Sequence, residues 1–140
     1  TQYTNLIDRS EIKIIVLTYN RSESLSRLLK SLNAADYRNH TANIQISIDV
    51  EDKTNLADKE TEKIAKEFVW KWGEKLVKTA KEHKGLQRQW LESWEVDAEK
   101  NEIGIFLEDD VEVSKHYVRW LLAAYKSFGQ RDDVSSFCLQ

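Results

Sequence analysis

The stretch Glu102-Ile103-Gly104-Ile105-Phe106-Leu107-Glu108-Asp109-Asp110 sets how the rest of this chain is read. Ile103, Ile105, Phe106 and Leu107 supply the β-branched and aromatic bulk of a buried strand. Three carboxylates follow at once, with no basic residue beside them. Carboxylates gathered at the open end of a strand repel one another unless a cation neutralises them. Oxygen ligands of this kind suit a hard ion, Mg²⁺ or Mn²⁺, better than zinc. The same triplet also fits a solvated acidic turn ahead of a helix beginning near Ser114. The sequence on either side weighs between these readings.

Upstream, Ile12-Lys13-Ile14-Ile15-Val16-Leu17-Thr18 is a near-continuous β-branched run, the mark of a strand covered on both faces. Tyr19-Asn20-Arg21 turns it into a helix, with Asn20 as the expected cap and Glu23 three residues on. Leu25, Leu28, Leu29 and Leu32 then form one apolar stripe. A second strand, Ile44 to Asp49, ends in its own acidic cluster of Asp49, Glu51 and Asp52. A helix is expected over about 57–72, closed by Gly73, then a short strand over 75–80. Lys84-Gly85-Leu86 opens a helix whose stripe is Leu86, Trp90, Leu91 and Trp94. Beyond the acidic triplet, Ser114 is expected to cap a helix directing Tyr117, Trp120, Leu121, Ala124, Tyr125 and Phe128 inward. Val134 to Leu139 reads as a fifth strand, and residues 1–11 as a polar lead-in.

Strands interleaved with helices imply a single α/β domain over 1–140, a three-layer α/β/α sandwich with a mostly parallel central sheet. In such sheets ligands sit at the carboxyl ends of the strands. There the sequence puts Thr18-Tyr19-Asn20-Arg21, Asp49 and Glu108-Asp109-Asp110.

Composition narrows what that rim serves. Hydrophobic residues at 41% and charged residues at 32% describe a globular protein. A net charge of −3 gives no basic field for nucleic acid. No apolar run approaches the roughly 20 residues of a membrane span, and the opening residues do not read as a signal peptide. The single cysteine, Cys138, cannot form an internal disulfide. Neither G-x-G-x-x-G nor G-x-x-x-x-G-K-[ST] occurs, which counts against a dinucleotide dehydrogenase and a P-loop NTPase. A carboxylate-held divalent ion offers another way to grip a diphosphate, by bridging its oxygens.

Ile14-Ile15-Val16-Leu17-Thr18-Tyr19-Asn20-Arg21, Ile48-Asp49, Gly85-Leu86-x-x-Gln89-Trp90 and Phe106-Leu107-Glu108-Asp109-Asp110 occur in an order that resembles the nucleotide-sugar-binding half of GT-A glycosyltransferases. The likeness extends to family 2 enzymes and to the N-acetylglucosaminyltransferase I type, and covers most of 12–128. It implies a nucleotide-sugar donor, a UDP-sugar, whose hexose or N-acetylhexosamine passes to a hydroxyl of a glycan, protein or lipid acceptor, with inversion. Thr18, Tyr19, Asn20 and Arg21 would line the base and ribose pocket, and Asp49 would hydrogen-bond the nucleobase. Arg88 would face the phosphates or the sugar, and Glu108 and Asp109 the sugar or ribose hydroxyls. Asp110 would ligate Mn²⁺ or Mg²⁺ directly.

The resemblance also implies that the chain is the donor half of a longer enzyme, either cytoplasmic or the lumenal part of a membrane-anchored one. No residue reads as the catalytic base; Asp132 and Asp133 suit a turn. Two rivals stand beside it: a sugar-nucleotide nucleotidyltransferase, which wants a Gly-rich basic loop after the first strand, and a non-catalytic binding or scaffold domain. Each site residue has a plainer role as well. Tyr19 suits packing on the first helix, Asp49 a turn cap, and Arg88 an i,i+4 pair with Glu92. Most of the five tryptophans read as core, His40, His83 and His116 as surface, and Cys138 as core.

Overall fold

The computed structural model describes residues 1–97 and 99–139. The described residues form nine elements in order: α1 (Gln2–Asp8), β1 (Glu11–Thr18), α2 (Ser22–Ala34), β2 (Ala42–Ile48), α3 (Lys59–Glu67), β3 (Lys75–Thr79), α4 (Gly85–Glu92), β4 (Glu102–Glu108) and α5 (Tyr117–Phe128). The four strands form one sheet in the order β3-β2-β1-β4, and every pairing is parallel. The α/β class and the parallel sheet are therefore as expected.

β1 is central, and its sequence explains why. Ile14, Ile15 and Val16 have no exposed surface, because a strand with apolar residues on both faces must be covered on both. Ile12, Ile14 and Val16 join Ile44, Ile46, Ile105 and Leu107 in the main core, under Leu25, Leu28, Leu29 and Leu32 of α2 and Val118 and Leu121 of α5. Ile15 and Leu17 point to the opposite face, where α4 and the segment after it form the thinner third layer. On that face Trp94 lies so close to β4 that a Cβ on Gly104 would come within 2.5 Å of its ring.

Several local expectations are corrected. The lead-in contains α1, capped by the Thr1 side chain, which buries Ile7; Tyr3 donates to the Tyr125 carbonyl on α5. α2 is capped at Arg21 with no side-chain bond, so Asn20 is not its cap. α3 stops at Glu67, well before Trp72. Lys75 Nζ donates to the carbonyls of Ala65, Lys66 and Phe68 at 2.7–2.8 Å, closing the helix end with a cation. The chain then runs extended so that Trp70 donates to the Ala42 carbonyl and packs on Tyr37.

Gly73 therefore lies outside α3. α5 begins at Tyr117, and Ser114 instead accepts from the His116 N–H. Trp120 and Phe128 are half exposed, not inward. Residues 134–139 form no strand; Phe137 is anchored on the Tyr125 ring at 4.8 Å rather than by ladder bonds. Of the tryptophans only Trp70 is buried, and Cys138 is exposed. Among the described residues, no helix is long and apolar enough to cross a membrane.

Candidate functional site

Strand order converts sequence into a site. The chain steps outward from β1 to β2 and β3, then returns to place β4 on the other side of β1. That reversal opens a crevice between the carboxyl ends of β1 and β4, where α/β sheets receive ligands. The register pairs Leu17 with Glu108, so the residues that follow, Thr18 and Asp109, meet at the crevice floor.

Thr18 Oγ1 donates to Asp109 Oδ2 at 2.7 Å, and both side chains are buried. Burial pushes the Asp109 carboxyl above its ordinary value, against the lowering pull of the Thr18 hydroxyl, Arg21 and the Tyr19 N–H. Arg21 spans the mouth: its guanidinium lies 3.8 Å from Asp109 and 3.4 Å from Asp110. Both Arg21 and Asp110 are more than half exposed. Glu108 accepts from the Trp90 indole N–H at 3.1 Å, and Trp90 stacks on Phe106 with centroids 5.2 Å apart. From Glu108 and Asp110 an open groove of about 1100 Å³ runs along the free edge of β4 past Phe106 and Trp120.

The second cluster is built differently. Asp49 is only 2% exposed. Its Oδ1 accepts from the N–H groups of Val50 and Lys84, and its Oδ2 from that of Gly85, all at 2.8–3.0 Å. The carboxylate thereby clamps the β3–α4 loop, in which Gly85 adopts a φ of +74°. His83 in that loop holds Nδ1 at 2.7 Å from the Val50 carbonyl and sets its ring edge-on to Tyr19, centroids 6.2 Å apart. Tyr19 thus reaches the rim of the crevice and does not simply pack on α2. Gln89 is buried on α4, donating to the carbonyls of Thr18 and Ser47 and locking α4 across the ends of β1 and β2.

Thr18, Tyr19, Arg21, Glu108, Asp109 and Asp110 therefore gather at one crevice, with exposed Asn20 on the same turn. Asp49 is one strand away, and its carboxylate accepts from three backbone N–H groups. Arg88 pairs with Glu82 and Glu92 at 3.3 and 3.1 Å, on an exposed stretch of α4. Glu51 accepts from the Thr54 N–H at a loop turn. Sequence reasoning missed His83, Gln89 and Trp90 as parts of the rim. Gln89-Trp90 stood inside the Gly85 motif, so a signal was present; a lone histidine offered none.

Among the described residues, no three His, Cys, Asp or Glu side chains form a metal cage. The available donor set is the exposed Asp110 carboxylate, with Glu108 and Asp109 committed to Trp90 and Thr18. That set fits an ion held by one carboxylate plus the oxygens of a bound phosphate group, a habit of Mg²⁺ sites, and not an all-protein site.

Solved structures share this fold. S. aureus TarS 1–349 superposes with a TM-score of 0.64 at 16% identity over 85% of this chain. Its complex with UDP-GlcNAc gives 0.61 and its complex with UDP 0.62, each at 19% identity over 85% of the chain. TarS is a glycosyltransferase. The fold is glycosyltransferase-like. The chain spans about one-third of the length of these TarS structures. No known family's sequence profile and no curated protein matches the chain. The likeness is one of fold and lends nothing to the N-acetylglucosaminyltransferase I type.

Proposed function

We propose that this chain binds a nucleotide-sugar, a UDP-sugar, as the donor part of a family 2-like glycosyltransferase that passes a hexose or N-acetylhexosamine to a hydroxyl acceptor. The observation that carries the reading is the meeting of Thr18–Arg21 with Glu108–Asp110 at the switch point of a parallel sheet. Support comes from the fold shared with a protein solved with UDP-GlcNAc and with UDP.

In this reading the nucleotide lies along the crevice. Thr18 to Arg21 line the base and ribose through backbone and the Tyr19 ring. Asp49, bonded to three backbone N–H groups, holds the His83–Gly85 loop and, with its remaining acceptor capacity, hydrogen-bonds the nucleobase. Glu108 and Asp109 take ribose or sugar hydroxyls, and Asp109 enters that role already oriented by Thr18. Arg21, beside both aspartates, reaches the phosphates, and Arg88 joins it only by leaving Glu82 and Glu92. Asp110 would hold Mn²⁺ or Mg²⁺ directly. A divalent ion bound there supplies positive charge to the nucleoside diphosphate as it leaves.

Calorimetric titration of UDP, with and without Mn²⁺, tests this on the wild-type chain and on Asp110→Ala. Metal-dependent binding that the substitution abolishes is the expected result. Absence of binding by UDP, GDP, CMP and dTDP alike, with Mn²⁺ present, overturns the donor reading.

A further inference from the structure

We infer that Arg21 is an exchangeable counter-ion: it neutralises Asp109 and Asp110 in the free chain and moves to the diphosphate when a nucleotide enters. This rests on the donor reading above and adds a device that couples its two ligands, the divalent ion and the nucleotide.

A single nitrogen does the neutralising. Nη1 of Arg21 lies 3.8 Å from Asp109 Oδ1 and 3.4 Å from Asp110 Oδ2. It therefore sits between the carboxylates of two adjacent residues, where a cation relieves their mutual repulsion. Asp109 is not free to turn away, because its Oδ2 accepts from the Thr18 hydroxyl at 2.7 Å. Among the described residues no other cationic side chain pairs with either aspartate. Arg27, the next arginine on α2, lies 3.7 Å from Glu112 instead.

The hold on Arg21 is loose. Its side chain is 58% exposed, both contacts are long, and its bond to Asp110 is the only hydrogen bond its guanidinium makes among the described residues. Exposed pairs of this kind contribute little to stability, so leaving costs little. A diphosphate is the better partner, because parallel N–H groups of the guanidinium meet two phosphate oxygens at once. While Arg21 stays, its charge opposes a divalent ion at Asp110. At roughly 5 Å in water that opposition is on the order of 10-fold in affinity. Its departure to the diphosphate removes the opposition, so each ligand favours the other beyond their direct contact.

The test uses the full chain, Arg21→Gln and Arg21→Lys. Free Mn²⁺ is followed by electron paramagnetic resonance without nucleotide, and UDP by calorimetry with and without Mn²⁺, corrected for the Mn²⁺–UDP complex in solution. Arg21→Gln should bind Mn²⁺ alone ~10-fold more tightly. It should bind UDP ~10-fold more weakly with Mn²⁺ present, yet within ~3-fold of wild type without it. Arg21→Lys, which keeps the charge, should stay within ~3-fold of wild type for Mn²⁺ alone. Three results overturn the exchange and leave the donor reading standing: Mn²⁺ binding in Arg21→Gln no tighter than wild type, an equal loss of UDP affinity with and without Mn²⁺, or a lysine variant that behaves as the glutamine one. If UDP does not bind the wild type with Mn²⁺ present, the donor reading falls and the exchange with it.

Discussion

Thr18 Oγ1 and Asp109 Oδ2 lie 2.7 Å apart across a separation of 91 residues, and this buried hydrogen bond ties the ends of the two strands that frame the crevice. Thr18→Val keeps the shape and removes the donor. It should destabilise the fold by about 1–3 kcal/mol, with Thr18→Ser largely restoring it. Urea denaturation of the pair of variants checks this.

Asp109 itself titrates above its ordinary 3.8, chiefly because of burial. A carboxyl raised in the folded state contributes stability below its unfolded value, and that contribution is lost as pH rises through the folded one. At neutral pH the ionised form therefore opposes folding. Asp109→Asn should raise the melting temperature at about pH 7 and confer no gain at about pH 3. Equal shifts at both pH values would sink this account of the carboxyl.

His83 is also raised above its usual 6.5, first by the bond to the Val50 carbonyl, then by Asp49, Asp52 and Glu51. Tyr19 faces it from the β1 end and Lys84 adjoins it in the loop. Its stabilising contribution is full below 6.5 and disappears as pH climbs through the higher folded-state value. The melting difference between wild type and His83→Asn should shrink from about pH 5 to about pH 8.5.

The Asp49 clamp makes a prediction about architecture. Asp49→Ala orphans the N–H groups of Val50, Lys84 and Gly85 and should cost about 2–3 kcal/mol. Gly85→Ala, forced to keep a φ of +74°, should cost about 1 kcal/mol. Hydrogen exchange in both variants should quicken first in the loop between β3 and α4.

At Gly104 the contact is steric. A methyl group placed 2.5 Å from the Trp94 ring must displace it, so Gly104→Ala should lose about 1–3 kcal/mol. In a Trp94→Ala background the loss should vanish. A double-mutant cycle by thermal denaturation reads the coupling directly.

Arg21 and Asp110 form an exposed pair at 3.4 Å. Arg21→Ala should therefore change stability by less than about 1 kcal/mol. Removing that competing cation should strengthen Mn²⁺ binding in the absence of nucleotide, which the electron paramagnetic resonance of free Mn²⁺ reports. Weaker Mn²⁺ binding in the variant would argue against Asp110 as the ligand.

The sequence by itself determined the elements whose signals are local. The β-branched run of β1, the Leu25–Leu32 stripe of α2 and the apolar stretch before Glu108 each lie within a few residues, and each formed the element read, although β4 sits at the sheet edge with Phe106 only half-buried. The rim of the site followed, because parallel strands must all end on the same side of the sheet. Tertiary structure decided everything that depends on a distant partner. α3 ended early, against a periodicity that continued to Trp72, where Lys75 reached back to its last carbonyls and Trp70 to the Ala42 carbonyl on β2. Asp49 gained its loop-clamping bonds, and His83 its fixed ring, for the same reason: the backbone groups they bond lie 33 to 36 residues away in sequence. Periodicity records which face of an element is apolar; only the packed chain determines which polar groups are already satisfied and which remain open to a ligand.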